Sequence, residues 1–107
     1  MKTASSKEYL DFVLDQLPSS GEVAFKPMMG EYIIYFRGKI VGGIFDDRFL
    51  VKQTGAARRL MPDAPLEAPY EGAKDMILVD NPEDREFLTE LFNAMVDELP
   101  APKKRKR

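Results

Sequence analysis

The chain has 107 residues, 44% hydrophobic and 32% charged, with no Cys, His or Trp, which fits one small domain able to bury a core without disulfide or metal staples. The lack of Cys excludes a disulfide framework, thiolate zinc sites and a thiol nucleophile, and the lack of His removes the commonest general base and zinc ligand. The net charge of −2 conceals an asymmetry: Lys103, Lys104, Arg105, Lys106 and Arg107 are all basic, and without them 11 basic residues stand against 18 acidic ones.

Residues 1–100 therefore read as one acidic domain and residues 101–107 as a disordered basic tail, set off by Pro100-Ala101-Pro102. The N-terminus has no apolar run behind its single Lys, and the longest nearly uncharged stretch, Ile40 to Phe45, falls far short of the ~20 residues of a membrane span. A cytoplasmic protein with no membrane segment is the expectation.

Ser5 with Glu8 three residues later is a capping-box pattern, and Tyr9, Leu10, Phe12, Val13, Leu14 and Leu17 follow at helical spacing until Pro18. This predicts a helix from about Ser6 to Leu17 with one apolar face. From Glu22 to Lys52 the residues turn β-branched and aromatic, cut by turn signals at Pro27 to Gly30, Arg37-Gly38-Lys39 and Asp46-Asp47-Arg48. That pattern predicts four strands in an antiparallel meander. Tyr32, Ile34 and Phe36 share one face and Ile33 and Tyr35 the other, so both faces of this strand are apolar. Gly42-Gly43 inside the third strand marks a bulge or a close approach by another segment.

Thr54 to Met61 reads as a short helix ended by Pro62, and Pro62 to Pro69 as a proline-rich connection. Met76 to Val79 is a short buried strand. Asn81-Pro82-Glu83-Asp84 looks like the start of a helix, with Asn81 as its cap and Pro82 in its first turn. Leu88, Leu91, Phe92, Met95 and Leu99 then line one face to about Glu98. The order α-β-β-β-β-α-β-α argues for an α+β domain, an antiparallel sheet with flanking helices packed on it. Two helices can cover one face of the sheet, and the short helix with the Pro62 to Pro69 connection, or a second subunit, would cover the other. An apolar patch near Tyr35 or Phe45 supporting a weak homodimer or a partner contact is the consequence.

Candidate chemistry is sparse. Asp46 and Asp47, with Asp80, could hold Mg²⁺ or Ca²⁺ through oxygen ligands, as a small metal-dependent enzyme would require. Adjacent aspartates in a hairpin turn have a simpler role, since they bond local amides and tolerate turn dihedrals. Tyr32, Tyr35, Phe36, Phe45 and Phe49, interleaved with basic residues, could stack single-stranded nucleic acid, but Lys39 stands where the RNA-recognition signature needs an aromatic and the element order is wrong for that fold, so core packing is the better explanation. The tail Lys103 to Arg107 could bind phosphates weakly, with a salt slope of at most about −4.5 on duplex DNA. No hydroxyl lies in a nucleophile-elbow motif or beside a His, so no catalytic residue, metal site or cofactor is assigned.

Several strings occur in a recognisable order: Lys26-Pro27-Met28-Met29-Gly30-Glu31-Tyr32, Tyr35-Phe36-Arg37-Gly38-Lys39, Gly43, Asp46, Phe49-Leu50-Val51-Lys52 and Pro69-Tyr70-Glu71-Gly72-Ala73-Lys74. Together they closely resemble the N-terminal domain of the TfoX/Sxy family over about residues 4–100. The resemblance implies a bacterial cytoplasmic protein with a fold like that of type III secretion chaperones. It also implies kinship with competence regulators that act with the cyclic-AMP receptor protein, and it brings no catalytic or metal-binding residues. Those regulators carry a helical C-terminal domain, so this sequence looks like a stand-alone form, a non-enzymatic regulatory or protein-interaction module with an unidentified protein partner. Met28 and Met29, flexible and polarizable, can fill a gap beside the sheet or line a partner groove together with Tyr35 and Phe45.

Overall fold

In a computed structural model, which describes residues 7–17, 22–28 and 30–99, the chain is an α+β domain built on an open six-stranded antiparallel sheet. The elements are α1 (Lys7–Gln16), β1 (Val23–Met28), β2 (Glu31–Phe36), β3 (Lys39–Phe45), β4 (Arg48–Val51), α2 (Gly55–Leu60), β5 (Leu66–Glu67), β6 (Met76–Leu78) and α3 (Arg85–Met95), with a 3-10 turn at Val96–Glu98. The strand order is β1-β2-β3-β4-β6-β5.

Turn chemistry sets the meander. Arg37 and Gly38 take φ of 53° and 79°, and Asp46 and Asp47 take 55° and 57°. Two-residue loops with both residues at positive φ match the right-handed twist of the strands they join, so each closes a tight hairpin. Gly30, at φ 88°, does the same work between β1 and β2. Glu31 reinforces the β3–β4 turn, since its carboxylate accepts the Asp46 N–H at 3.0 Å.

The glycine pair marks both a bulge and a close approach. Ile34 pairs with Gly42 but Tyr35 pairs with Ile40, which leaves Val41 as the extra residue of a β-bulge. A Cβ on Gly42 would strike the Leu50 carbonyl and stand 2.8 Å from the Val51 Cα, and one on Gly43 would lie 2.7 Å from the Phe45 ring. Strand and ring can come this close only because both positions lack a side chain.

Strand alternation then divides the sheet into two faces. On the inner face Ile34, Phe36, Val41, Ile44, Phe49, Val51 and Ile77 join Leu10, Val13 and Leu17 of the first helical segment and Leu88, Leu91, Phe92 and Met95 of α3 in one buried core. Phe92 sits at its centre, with ring centroids 5.4 Å from Phe36 and 6.3 Å from Phe49. Burying three such rings contributes about 1.5–3 kcal/mol each.

Four expectations change. The short helix α2 does not cover the second face: Ala56 and Ala57 pack into the same core as α3. Thr54 caps its amides, accepting from Ala57 N at 3.0 Å, while Glu98 accepts from Ala56 N at 2.9 Å, which ties α2 to the end of α3. The proline-rich connection contains a strand, β5, too short to show a pattern. Helix α3 starts one turn later than Asn81-Pro82 predicts; those residues form a turn, with Asp84 N donating to Asn81 O at 3.0 Å. Asp84 is the actual cap, its carboxylate accepting from Phe87 N at 3.1 Å. Phe12, expected in the core, is 40% exposed, with its ring 6.2 Å from that of Tyr9. The capping residue Ser5 lies outside the described residues.

Candidate functional site

Among the described residues α1, α2 and α3 all pack on the inner face, and the outer face of the sheet is left to the loop that follows β5. Ala24, Lys26 and Met28 of β1 share this face with Glu31, Ile33 and Tyr35 of β2, and with Ile40 and Phe45 of β3, as the pairings Ala24↔Tyr35, Lys26↔Ile33 and Tyr35↔Ile40 require. Arg48 and Leu50 of β4 and Met76 and Leu78 of β6 continue it. Ile33 and Tyr35 are half-buried and Ile40 is exposed, so one end of the face is bare.

The other end is crossed by residues 68–75, which form an arch fastened at three points. The Arg48 guanidinium donates to the Glu67 carboxylate at 2.6 Å, to Pro69 O at 3.5 Å and to Phe45 O at 3.1 Å, holding the near end to its own hairpin. At the far end Gln53 Nε2 donates to Asp75 O at 2.9 Å, and the Gln53 oxygen accepts from Arg58 at 2.7 Å. Within the arch Ala73 N donates to Tyr70 O at 3.1 Å, a turn that Gly72 completes at φ 88°.

Tyr70 stands on this arch, 62% exposed, with its ring 6.5 Å from that of Phe45. It separates two hollows. One, of about 460 Å³, is lined by Met28, Glu31, Phe45 and Tyr70. The other, of about 440 Å³, lies under the arch, with Lys52 and Lys74 among its walls. Both volumes are in the range that takes a small ligand or an anchoring side chain.

The candidate partner surface thus falls on one face only in part. Met28 is 46% exposed and Phe45 is 4% exposed beneath Tyr70, and these two line the first hollow. Tyr35 is half-buried on the same face of the sheet, and Met29 lies outside the described residues. Lys103 to Arg107 also lie outside them. The aromatic set considered for base stacking does not form one platform. Tyr32, Phe36 and Phe49 point to the inner face, where Phe36 and Phe49 are buried, and Tyr35 and Phe45 point to the outer one. Asp46 and Asp47 are the β3–β4 turn itself, and among the described residues no three acidic side chains converge to hold a metal ion. Among the described residues Tyr9 has a displaced pKa. Burial raises its pKa, the Asp47 charge raises it further, a hydrogen bond with the Phe49 backbone opposes this, and Glu83 adds to the rise. The arch and the cleft beneath it leave no mark in the sequence beyond the string Pro69 to Lys74.

Among the described residues no helix is long and apolar enough to cross a membrane. Fold and site together define an α+β domain in which, among the described residues, helices cover one sheet face and a loop crosses the other. The chain is 36% identical over 104 residues, 96% of its own length and 90% of the relative's, to the uncharacterized 12.7 kDa protein in the trpE 5′ region of Spirochaeta aurantia, and it belongs to the same family as that protein. No family model matches the chain. No solved structure matches it.

Proposed function

We propose that this protein is a non-enzymatic regulatory and protein-interaction module of the TfoX/Sxy N-terminal type, acting in the bacterial cytoplasm on transcription or competence. Its working surface is the outer face of the sheet. The observation that carries this reading is the apolar hollow of Met28, Phe45 and Tyr70, continued by Ile33, Tyr35 and Ile40 and, among the described residues, left without a helical layer. Apolar concavities beside half-exposed aromatics are what protein partners fill with anchoring side chains. The ordered motifs support the family assignment, and a sequence without His or Cys supports a role in binding rather than catalysis.

The test is genetic. Deleting the gene in its native host alters a defined set of transcripts, and the wild-type gene restores them. A double variant, Met28→Glu with Tyr35→Glu, folds but fails to restore them. Full restoration by that variant overturns the surface assignment. Turnover of a substrate by the purified protein, abolished by a single side-chain change, overturns the non-enzymatic reading.

A further inference from the structure

We propose that the cleft under the arch binds a small organic anion, a carboxylic acid carrying an aromatic or branched apolar group. This goes beyond the interaction role above and occupies the other side of Tyr70. Two lysines from segments far apart in sequence line the cleft, Lys52 just after β4 and Lys74 on the arch. Among the described residues neither ammonium has an acidic partner within 4.0 Å. On a body that is acidic overall, two unpaired lysines facing one concavity are a local reversal of charge, and such a reversal attracts anions.

The remaining walls specify the rest of the ligand. Pro69, Tyr70 and Met76 supply an apolar lining on which a ring or branched chain can lie, with the Tyr70 face available for stacking. Gln53 donates to Asp75 O and accepts from Arg58, so both ends of its amide brace the arch. Asp75 also lines the cleft and adds one formal negative charge to it. It offsets one of the two lysines and leaves a single net positive charge, which matches a monoanion and disfavours a phosphate dianion. The bracing by Arg48 and Gln53 means the cleft is formed before the ligand arrives, so binding does not require ordering of the loop.

The experiment is a titration of the full-length protein with benzoate, 3-phenylpropionate and 4-methylpentanoate, with phenyl phosphate and benzamide in parallel. It is followed by tyrosine fluorescence and by NMR shifts of the Tyr70, Lys52 and Lys74 signals. At least one carboxylate binds saturably, phenyl phosphate binds more weakly, and neutral benzamide weakest. Lys52→Gln and Lys74→Gln each weaken the carboxylate about tenfold, the scale of one charge-assisted contact. Lys7→Gln, a remote surface change, has no effect. Three results overturn the proposal: no saturation by any carboxylate below about 10 mM, equal weakening by Lys7→Gln, or equal affinity for benzamide. Tighter binding of phenyl phosphate than of every carboxylate overturns the choice of a monoanion and assigns the cleft to phosphate.

Discussion

Arg48 and Glu67 meet at 2.6 Å on the outer side of the sheet, and through that contact a hairpin holds down a loop that has little secondary structure of its own. The guanidinium also reaches the carbonyls of Phe45 and Pro69, so one side chain joins β3, β4 and the start of the arch. Both partners are partly shielded from water, which gives the pair more weight than an open surface ion pair.

Arg48→Ala therefore releases the arch. The expected cost in a urea unfolding experiment is about 1–3 kcal/mol, the range for a charge-assisted hydrogen bond and its neighbours. Limited proteolysis provides the local readout: cleavage within residues 68–75 accelerates in the variant while the rest of the chain stays protected. Unchanged cleavage there would show that Gln53 and the Tyr70 to Phe45 contact hold the arch unaided.

The glycines separate into two kinds. Gly42→Ala forces a methyl group against the Leu50 carbonyl and the Val51 Cα, where neither neighbour can move without breaking the sheet, and it lowers stability by about 3 kcal/mol or more. Gly55→Ala meets only the ends of two flexible side chains, the Glu98 carboxylate at 3.4 Å and Arg59 Nη1 at 3.8 Å, and improves helix propensity at the start of α2, so thermal unfolding shows a change within about 1 kcal/mol of zero. Equal effects of the two substitutions would contradict the close packing of β3 on β4.

Much of this architecture was legible because hairpin turns and helix faces leave strong local marks. Arg37-Gly38 and Asp46-Asp47 announce two-residue turns, and Leu88, Leu91, Phe92 and Met95 form a helical stripe that the structure buries. The position of α2 was not legible, since it enters the core through Ala56 and Ala57, side chains too small to produce a clear apolar face. The start of α3 was misplaced because Asn81 and Asp84 are both competent caps, and the turn at Pro82 decides between them. The cleft could not be read at all. Lys52 and Lys74 become neighbours only when the arch folds back over β4, and nothing local in either segment records that.

Tyr9 gives the protein an alkaline signature. Its pKa is raised by burial first and by the Asp47 charge second, so the folded chain holds the phenol proton more tightly than the unfolded chain does. The associated stability is complete below the ordinary phenol pKa of about 10 and declines as pH rises through and beyond it, because the unfolded chain ionises first. Tyr9→Phe makes the decline above about pH 10 shallower in denaturant titrations, whereas an identical decline in both proteins would contradict the assignment.

Self-association draws on the same outer face. Sedimentation equilibrium at several hundred micromolar is expected to detect a weak dimer of the wild type, and Ile40→Glu is expected to leave only monomer, since Ile40 is exposed there and a charge opposes apolar contact. A wild type that stays monomeric under these conditions assigns the face to a different protein partner.

The most direct measurement of the central claim is photo-cross-linking in the native host, with benzoylphenylalanine placed in turn at Met28, Tyr35 and Tyr70 on the outer face, and at Phe12 and Lys7 on the helical side. The account predicts one discrete adduct shared by the three outer positions and absent from the two helical ones. The same adduct forming from Phe12 or Lys7, with none from the sheet, would contradict it.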